Sequence, residues 1–189
     1  VINRVRWHCS ETFSGRVFAT QDWHSPDSVS FASSHSGRNP FDTVVLPNGL
    51  KQTLWPKHCV AGTFGAKIVA AIDTTDVTIV RKGMHKQYDS YSGFGDYAGA
   101  KTDLERLLNE RGVRSVYICG LATDWCIKFT ALDALKAKFH TFVIEDGCVS
   151  LFFGLPDATS SFSLSLRSGR RIYTDITEKT YGFVLHQNE

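Results

Sequence analysis

The chain has 189 residues, 42% of them hydrophobic and 21% charged, with a formal net charge of +2. That is ordinary usage for one globular domain and excludes disordered, collagen-like and coiled-coil chains. The near-neutral balance gives no electrostatic basis for nucleic-acid binding, and no apolar run approaches the roughly 20 residues of a membrane span.

The five cysteines are Cys9, Cys59, Cys119, Cys126 and Cys148. Their odd number and irregular spacing argue against a disulfide framework and for a reducing, cytoplasmic setting. Without a CxxC pair, a zinc site built from thiolates is not expected.

In chain order, residues 1–8 read as a helix. Arg16-Val17-Phe18-Ala19-Thr20 reads as a short strand. Residues 25–57 are rich in proline and serine with few periodic apolar positions, which predicts a long loop of the kind that is more often functional than idle. Val77-Thr78-Ile79-Val80 is a second strand, rich in β-branched residues. Thr102-Asp103-Leu104-Glu105 has capping-box spacing, and Gly112 marks the end of that helix. Ser115 to Gly120 is a third strand. A helix follows from Asp124 to about Lys138, with Ile127, Ala131, Ala134 and Leu135 at helical spacing. Thr141 to Ile144 is a fourth strand and Arg171-Ile172-Tyr173 a weaker fifth, the stretch 150–170 between them reading as a divergent final helix. Strands alternating with helices imply an α/β fold with a parallel sheet, whose ligands bind beyond the carboxyl ends of the strands.

Four places carry candidate chemistry. Asp22 and His24 lie two apart after the first strand, and His58 lies in the long loop. Two imidazoles and a carboxylate are a common set for a divalent ion, or simply loop residues making turns. Lys82 follows the second strand, where a lone lysine is ordinarily a solvated charge. Gly120 to Cys126 turns a strand sharply into a helix, with Cys126 in its first turn. The helix dipole and unpaired amides there favour a thiolate and could hold an oxyanion; the plain alternative is a small buried thiol. Asp22, Lys82 and Cys126 each follow a strand, so a parallel sheet gathers them at one edge.

Together these motifs resemble the nicotinamidase (pyrazinamidase) branch of the isochorismatase-like cysteine hydrolases. The matching stretches are Asp22-Trp23-His24 with Ser30-Phe31-Ala32, then Leu54-Trp55-Pro56-Lys57-His58-Cys59-Val60, Lys82-Gly83 with Asp89-Ser90-Tyr91-Ser92-Gly93-Phe94, and Gly120 to Cys126. The resemblance implies a three-layer α/β/α fold and hydrolysis of nicotinamide to nicotinate and ammonia, in NAD salvage. It implies Cys126 as nucleophile, forming a thioester, and Lys82 as the charge that favours its thiolate. It implies an oxyanion hole at the amides of Ala122 and Cys126, with a cis peptide before Ala122. Asp22, His24 and His58 would hold one divalent metal ion, zinc first, with iron or manganese as alternatives. Trp55, Tyr91 and Trp125 would wall a flat aromatic ring. The partner implied is this small substrate, with neither nucleic acid nor membrane, in a possible homo-oligomer.

Three departures stand out. The family's catalytic aspartate lies in an Asp-x-Gln-x-Asp-Phe segment at the end of a first strand, and no such segment occurs here. Val1 to Val5 resembles the helix after it. The expectation is therefore a single domain over 1–189 that lacks its N-terminal strand, a unit of roughly 20–30 residues lying upstream of Val1. Ser28 stands where many relatives have a histidine, so three protein ligands are expected. Residues 150–170 match nothing. The competing readings are an amidohydrolase for another carboxamide or ureido substrate, and a non-catalytic nicotinamide-binding relative.

Overall fold

The structure is a computed structural model describing residues 1–12, 16–151 and 181–187, the last as backbone. In chain order the principal elements are α1 (Ile2–Thr12), β1 (Val17–Asp22), β2 (Thr43–Val45), β3 (Lys51–Thr53), β4 (Thr78–Lys82), α2 (Leu104–Glu110), β5 (Ser115–Leu121), α3 (Lys128–Lys136), β6 (His140–Val149) and β7 (Tyr181–Gln187). The strand expected at 171–173 and the segment before it lie outside the described residues. Among those described, no helix is long and apolar enough to cross a membrane.

Five strands form one sheet in the order β4-β1-β7-β5-β6, every pairing parallel. Between β1 and β5 the structure seats β7 (Ala19 opposite Leu185, Ile118 opposite Val184).

Side chains alternate across the sheet, as a period of two requires. Phe18, Val116 and Ile118 point to one face, where Leu104 and Leu108 of α2 and Ala131 and Ala134 of α3 cover them. Val17, Ala19, Tyr117 and Cys119 point to the other, with Ile2 and Val5 of α1. The three expected layers are thus present, and both faces of the sheet are dry. This explains why β1 and β5 read as unbroken apolar runs. Arg6 pins α1 to the segment before β4, donating to Thr75 O at 2.5 Å and pairing with Asp73 at 2.8 Å.

Helix boundaries follow local chemistry. Thr102 Oγ1 accepts the Leu104 N–H at 3.2 Å, while Glu105 pairs with Lys101 at 2.6 Å rather than folding back, so only half of the capping box forms. Gly112 ends the helix at φ 66°, and the Val113 N–H returns to Leu108 O at 3.0 Å. The helix expected from Asp124 begins differently. Thr123–Ile127 is a single π turn, with the Ile127 N–H reaching Ala122 O at 3.1 Å, and α3 follows it.

Leu108 is fully buried between α2 and the sheet. Leu108→Ala is expected to destabilise the protein by about 2–5 kcal/mol, read from the shift of a urea unfolding midpoint at constant slope.

Candidate active site

The carboxyl ends of β1, β4 and β5 carry Asp22, Lys82 and Leu121, and all three line one cavity of about 260 Å³. In the parallel pairing of β1 with β4, Asp22 stands directly opposite Lys82. The two form a buried ion pair, each 2% exposed. The Lys82 ammonium also donates to Ser90 O at 2.9 Å and lies 3.4 Å from Cys126 Sγ. Burial alone pulls the Lys82 pKa down, but the charges of Asp22 and Cys126 outweigh it, and the net displacement is upward. Lys82 therefore stays charged at neutral pH, unlike a solvated surface lysine.

Cys126 sits in the π turn after β5, beside Ala122, and packs against Trp55 and Tyr91. The Leu121–Ala122 peptide is cis, as the resemblance implies. The other described thiols on the sheet differ in environment. Burial pushes Cys119 up to about 12 and Cys148 up to about 11.

Within the same cavity Asp22, His24 and His58 bring their ligand atoms within 4.8 Å of one another. Both imidazoles are held through Nδ1. His24 Nδ1 bonds Gly83 O at 3.1 Å and His58 Nδ1 bonds Pro56 O at 2.8 Å. A carbonyl partner requires N–H at Nδ1 and leaves each Nε2 as a lone-pair donor, the arrangement that outer-shell carbonyls impose on metal-ligating histidines. Burial holds the His24 pKa below its ordinary value against the opposing pull of Asp22, which keeps the imidazole neutral for ligation. The residues present thus suit one borderline divalent ion. The Ser28 hydroxyl is engaged inside its loop instead, with Ser30 Oγ at 2.9 Å and the Ser30 N–H at 3.3 Å.

The three expected aromatic residues line the same cavity and pack with the thiol. Trp55 and Trp125 meet edge-to-face at 4.7 Å, and Tyr91 lies 4.9 Å from Trp125. The Trp55 indole N–H donates to Tyr91 Oη at 2.7 Å. Burial, reinforced by Asp89, raises the Tyr91 hydroxyl, so it remains neutral.

The long loop is strapped to this site rather than loose. The His24 N–H donates to Cys59 O at 3.0 Å, and the Ala61 N–H donates to His24 O at 2.8 Å, so the two histidine-bearing segments run as a short parallel bridge. Phe31 and Trp55 form another such bridge. Every sequence-predicted site residue meets at this cavity or its adjoining turn. Several supporting residues were not anticipated in these roles. Phe31 is fully buried and packs edge-on against both His24 (5.6 Å) and His58 (5.5 Å). Gln52 donates to Asp89 Oδ2 at 3.0 Å and so holds a second buried carboxylate at the cavity wall. Gly83 cradles His24: at φ 68°, an added Cβ would lie 2.5 Å from His24 Cε1 and 2.7 Å from its Nδ1. Its signal was visible in the sequence as the glycine directly after Lys82.

Gly83→Ala should therefore displace His24 and weaken retention of added zinc, measured as metal content after dialysis. Gly99→Ala is the control, since Gly99 also has positive φ (87°) but its Cβ would meet nothing within 4 Å, so zinc should stay. The pairing of Cys126 with Lys82 makes a second expectation. At pH 7.5, iodoacetamide should modify Cys126 on the order of tenfold or more faster than Cys119 or Cys148, mapped by mass spectrometry.

The Isochorismatase domain model matches residues 10–164. A nicotinamidase of Acinetobacter baylyi is 47% identical over 137 residues, which span 71% of this chain and 64% of that relative. The chain thus covers somewhat under two thirds of that protein's length. Among solved structures, the Acinetobacter baumanii nicotinamidase/pyrazinamidase superposes with a TM-score of 0.78 at 35% identity, covering 97% of this chain and 83% of that one. A Pyrococcus horikoshii pyrazinamidase solved in complex with zinc gives a TM-score of 0.65 at 28% identity, covering 97% and 82%. With its parallel sheet, its thiol at the turn after β5 and a matching domain model over most of its length, the chain belongs to the isochorismatase family.

Proposed function

We propose that the protein hydrolyses nicotinamide to nicotinate and ammonia through a thioester on Cys126. The observation that carries this reading is the pairing, across one aromatic-walled cavity, of a lysine-backed thiol with a two-histidine, one-carboxylate ligand set. The likeness to nicotinamidases supports the same substrate.

Trp55, Tyr91 and Trp125 supply flat apolar walls for a heteroaromatic ring. Asp22, His24 and His58 would hold a divalent ion, zinc being the first candidate, which would supply a Lewis-acidic point for a ring nitrogen. Lys82 holds the sulfur as thiolate by its charge. Sulfur attacks the carboxamide carbon, and the amides of Ala122 and Cys126 receive the oxyanion. Collapse breaks the C–N bond as a proton from the Lys82 ammonium passes to the nitrogen, which leaves as ammonia. Water then cleaves the thioester, giving one proton back to Lys82 and one to solvent, which releases nicotinate and restores the thiolate. The reaction suits reclamation of nicotinamide for NAD in the cytoplasm.

Ammonia release from nicotinamide by the purified full-length protein, supplied with zinc, tests the reading. Turnover is expected in the wild type. Cys126→Ala should lower kcat by at least about 10⁴-fold, the scale of losing a nucleophile. Retention of turnover in that variant, or its absence in the zinc-loaded wild type, would refute the mechanism.

A further inference from the structure

We propose that Asp89 tells the amide from the acid: its carboxylate accepts an N–H of the bound carboxamide and repels the carboxylate of the product. This rests on the function proposed above and names the residue that sets its preference for amide over acid.

Asp89 is 2% exposed and lines the cavity shared by Cys126 and the ligand set. It stands in the loop after β4. That loop is stitched closed by the Tyr97 N–H onto Asp89 O at 3.0 Å and by Ser90 Oγ onto Gly95 O at 2.9 Å. The two carboxylate oxygens are held separately. Oδ1 accepts the Ser90 N–H at 2.8 Å, and Oδ2 accepts the Gln52 side-chain amide at 3.0 Å. Both holders also touch the site. The Ser90 carbonyl takes the Lys82 ammonium at 2.9 Å, and the same Gln52 nitrogen lies 3.4 Å from Tyr91 Oη. The carboxylate is thereby fixed in direction as well as in place.

What it lacks is a counter-charge. Among the described residues no lysine, arginine or histidine forms an ion pair with Asp89, unlike Asp22 with Lys82. A carboxylate offers about four lone-pair directions, and two neutral N–H groups fill only part of them. A buried charge is costly unless it is both paired and hydrogen-bonded. Gln52 adds to that cost: with its nitrogen turned to Asp89, its own Oε1 is buried without a hydrogen-bond partner among the described residues. A wall carboxylate held only by neutral donors, with an orphaned acceptor behind it, marks a position kept for what enters the cavity. Its charge acts on the surrounding groups: after burial itself, Asp89 is the largest cause raising the Tyr91 and Tyr97 hydroxyls. An N–H donor would complete it. A carboxamide brings two N–H groups on its nitrogen, whereas the acid made from it brings none and carries a negative charge. A fixed carboxylate in a pocket of low dielectric favours the first by a charge-assisted hydrogen bond and repels the second as a like charge. Discrimination is steep where the wrong ligand leaves a buried polar group unpaired. The same repulsion helps the product leave once the thioester is cleaved.

The test is Asp89→Asn, which removes the charge at nearly constant shape. Binding is read by tryptophan fluorescence in the zinc-supplied Cys126→Ala protein, with and without Asp89→Asn. Three flat pyridines that differ at one group are compared: nicotinamide, nicotinate and 3-acetylpyridine, a neutral ketone without an N–H. With Asp89→Asn, nicotinamide should bind about fivefold more weakly and nicotinate about tenfold more tightly, so the preference for amide over acid falls about 50-fold. The affinity for 3-acetylpyridine should stay within about twofold, since it offers neither an N–H nor a charge. Zinc content after dialysis should be unchanged. A preference for amide over acid that moves by less than about threefold overturns the role of Asp89. A common loss of affinity for all three pyridines makes Asp89 structural and overturns it equally, and loss of zinc moves the effect to the ligand set with the same result. In each of these cases turnover of nicotinamide by the wild type leaves the proposed function standing. No binding of any of the three by Cys126→Ala, together with no turnover by the zinc-supplied wild type, would overturn both.

Discussion

The buried charge of Lys82 is the constraint on which the site depends. An ammonium has three protons and no acceptor. Here the three directions are taken by Asp22, by the Ser90 carbonyl and by Cys126 Sγ. Each acceptor comes from a different part of the chain: the end of β1, the segment after β4, and the turn after β5. Removing one partner of a buried ion pair costs about 3–5 kcal/mol, because the other charge is left without compensation. The parallel register that sets Asp22 opposite Lys82 is therefore as much a chemical requirement as a packing outcome. The pair is weak evidence for stability by itself, since two apolar residues could pack there without desolvating charges. Its place beside a thiol gives the charge a use.

Asp22 belongs to two constellations. It pairs with Lys82 and also completes the ligand set with His24 and His58. One carboxylate thus links the sulfur's environment to the ligand set across the cavity. His24 needs neutrality, which its burial favours, and both histidines need a free Nε2, which the carbonyls of Gly83 and Pro56 provide. The sulfur needs a nearby cation, which Lys82 provides. The aromatic rings that line the cavity lower the local dielectric, which strengthens both interactions.

The site was more legible in the sequence than parts of the fold. Asp22, Lys82 and the Gly120–Cys126 turn each follow an apolar run, and a parallel sheet converts that local pattern into one shared edge. His58 needed the motif around it, because nothing local places a loop histidine beside β1; the bridge between His24 and Val60 does so in space. β7 was not legible. Gly182, His186 and Gln187 interrupt its apolar pattern, and its place rests on pairing with β1 and β5 at once, which no single-segment rule reports. The π turn at Thr123–Ile127 was also hidden. An α-helix and a π turn share the same apolar spacing here, and only the reach of the Ile127 N–H to Ala122 O separates them.

Some of the remaining departures from local rules stand beside the cavity. Among the described residues, four that are not glycine have positive φ, and two of these are Phe41 (74°) and Cys59 (44°). One stands at the cavity mouth and the other directly after the ligand His58. Gly83, whose φ is also positive, abuts His24 so closely that no side chain could replace its hydrogen. Where local preference and global structure disagree, the disagreement marks positions held for something other than folding. Cys59 offers its carbonyl to the His24 backbone N–H, Gly83 offers its own to the His24 ring, and Phe41 offers a ring beside Trp55. In each case an unusual backbone angle aims a group at the cavity or its ligands. At these positions the strain lies in loops outside a sheet whose interior follows the period-two pattern, so the rigid scaffold can hold these angles without itself being deformed.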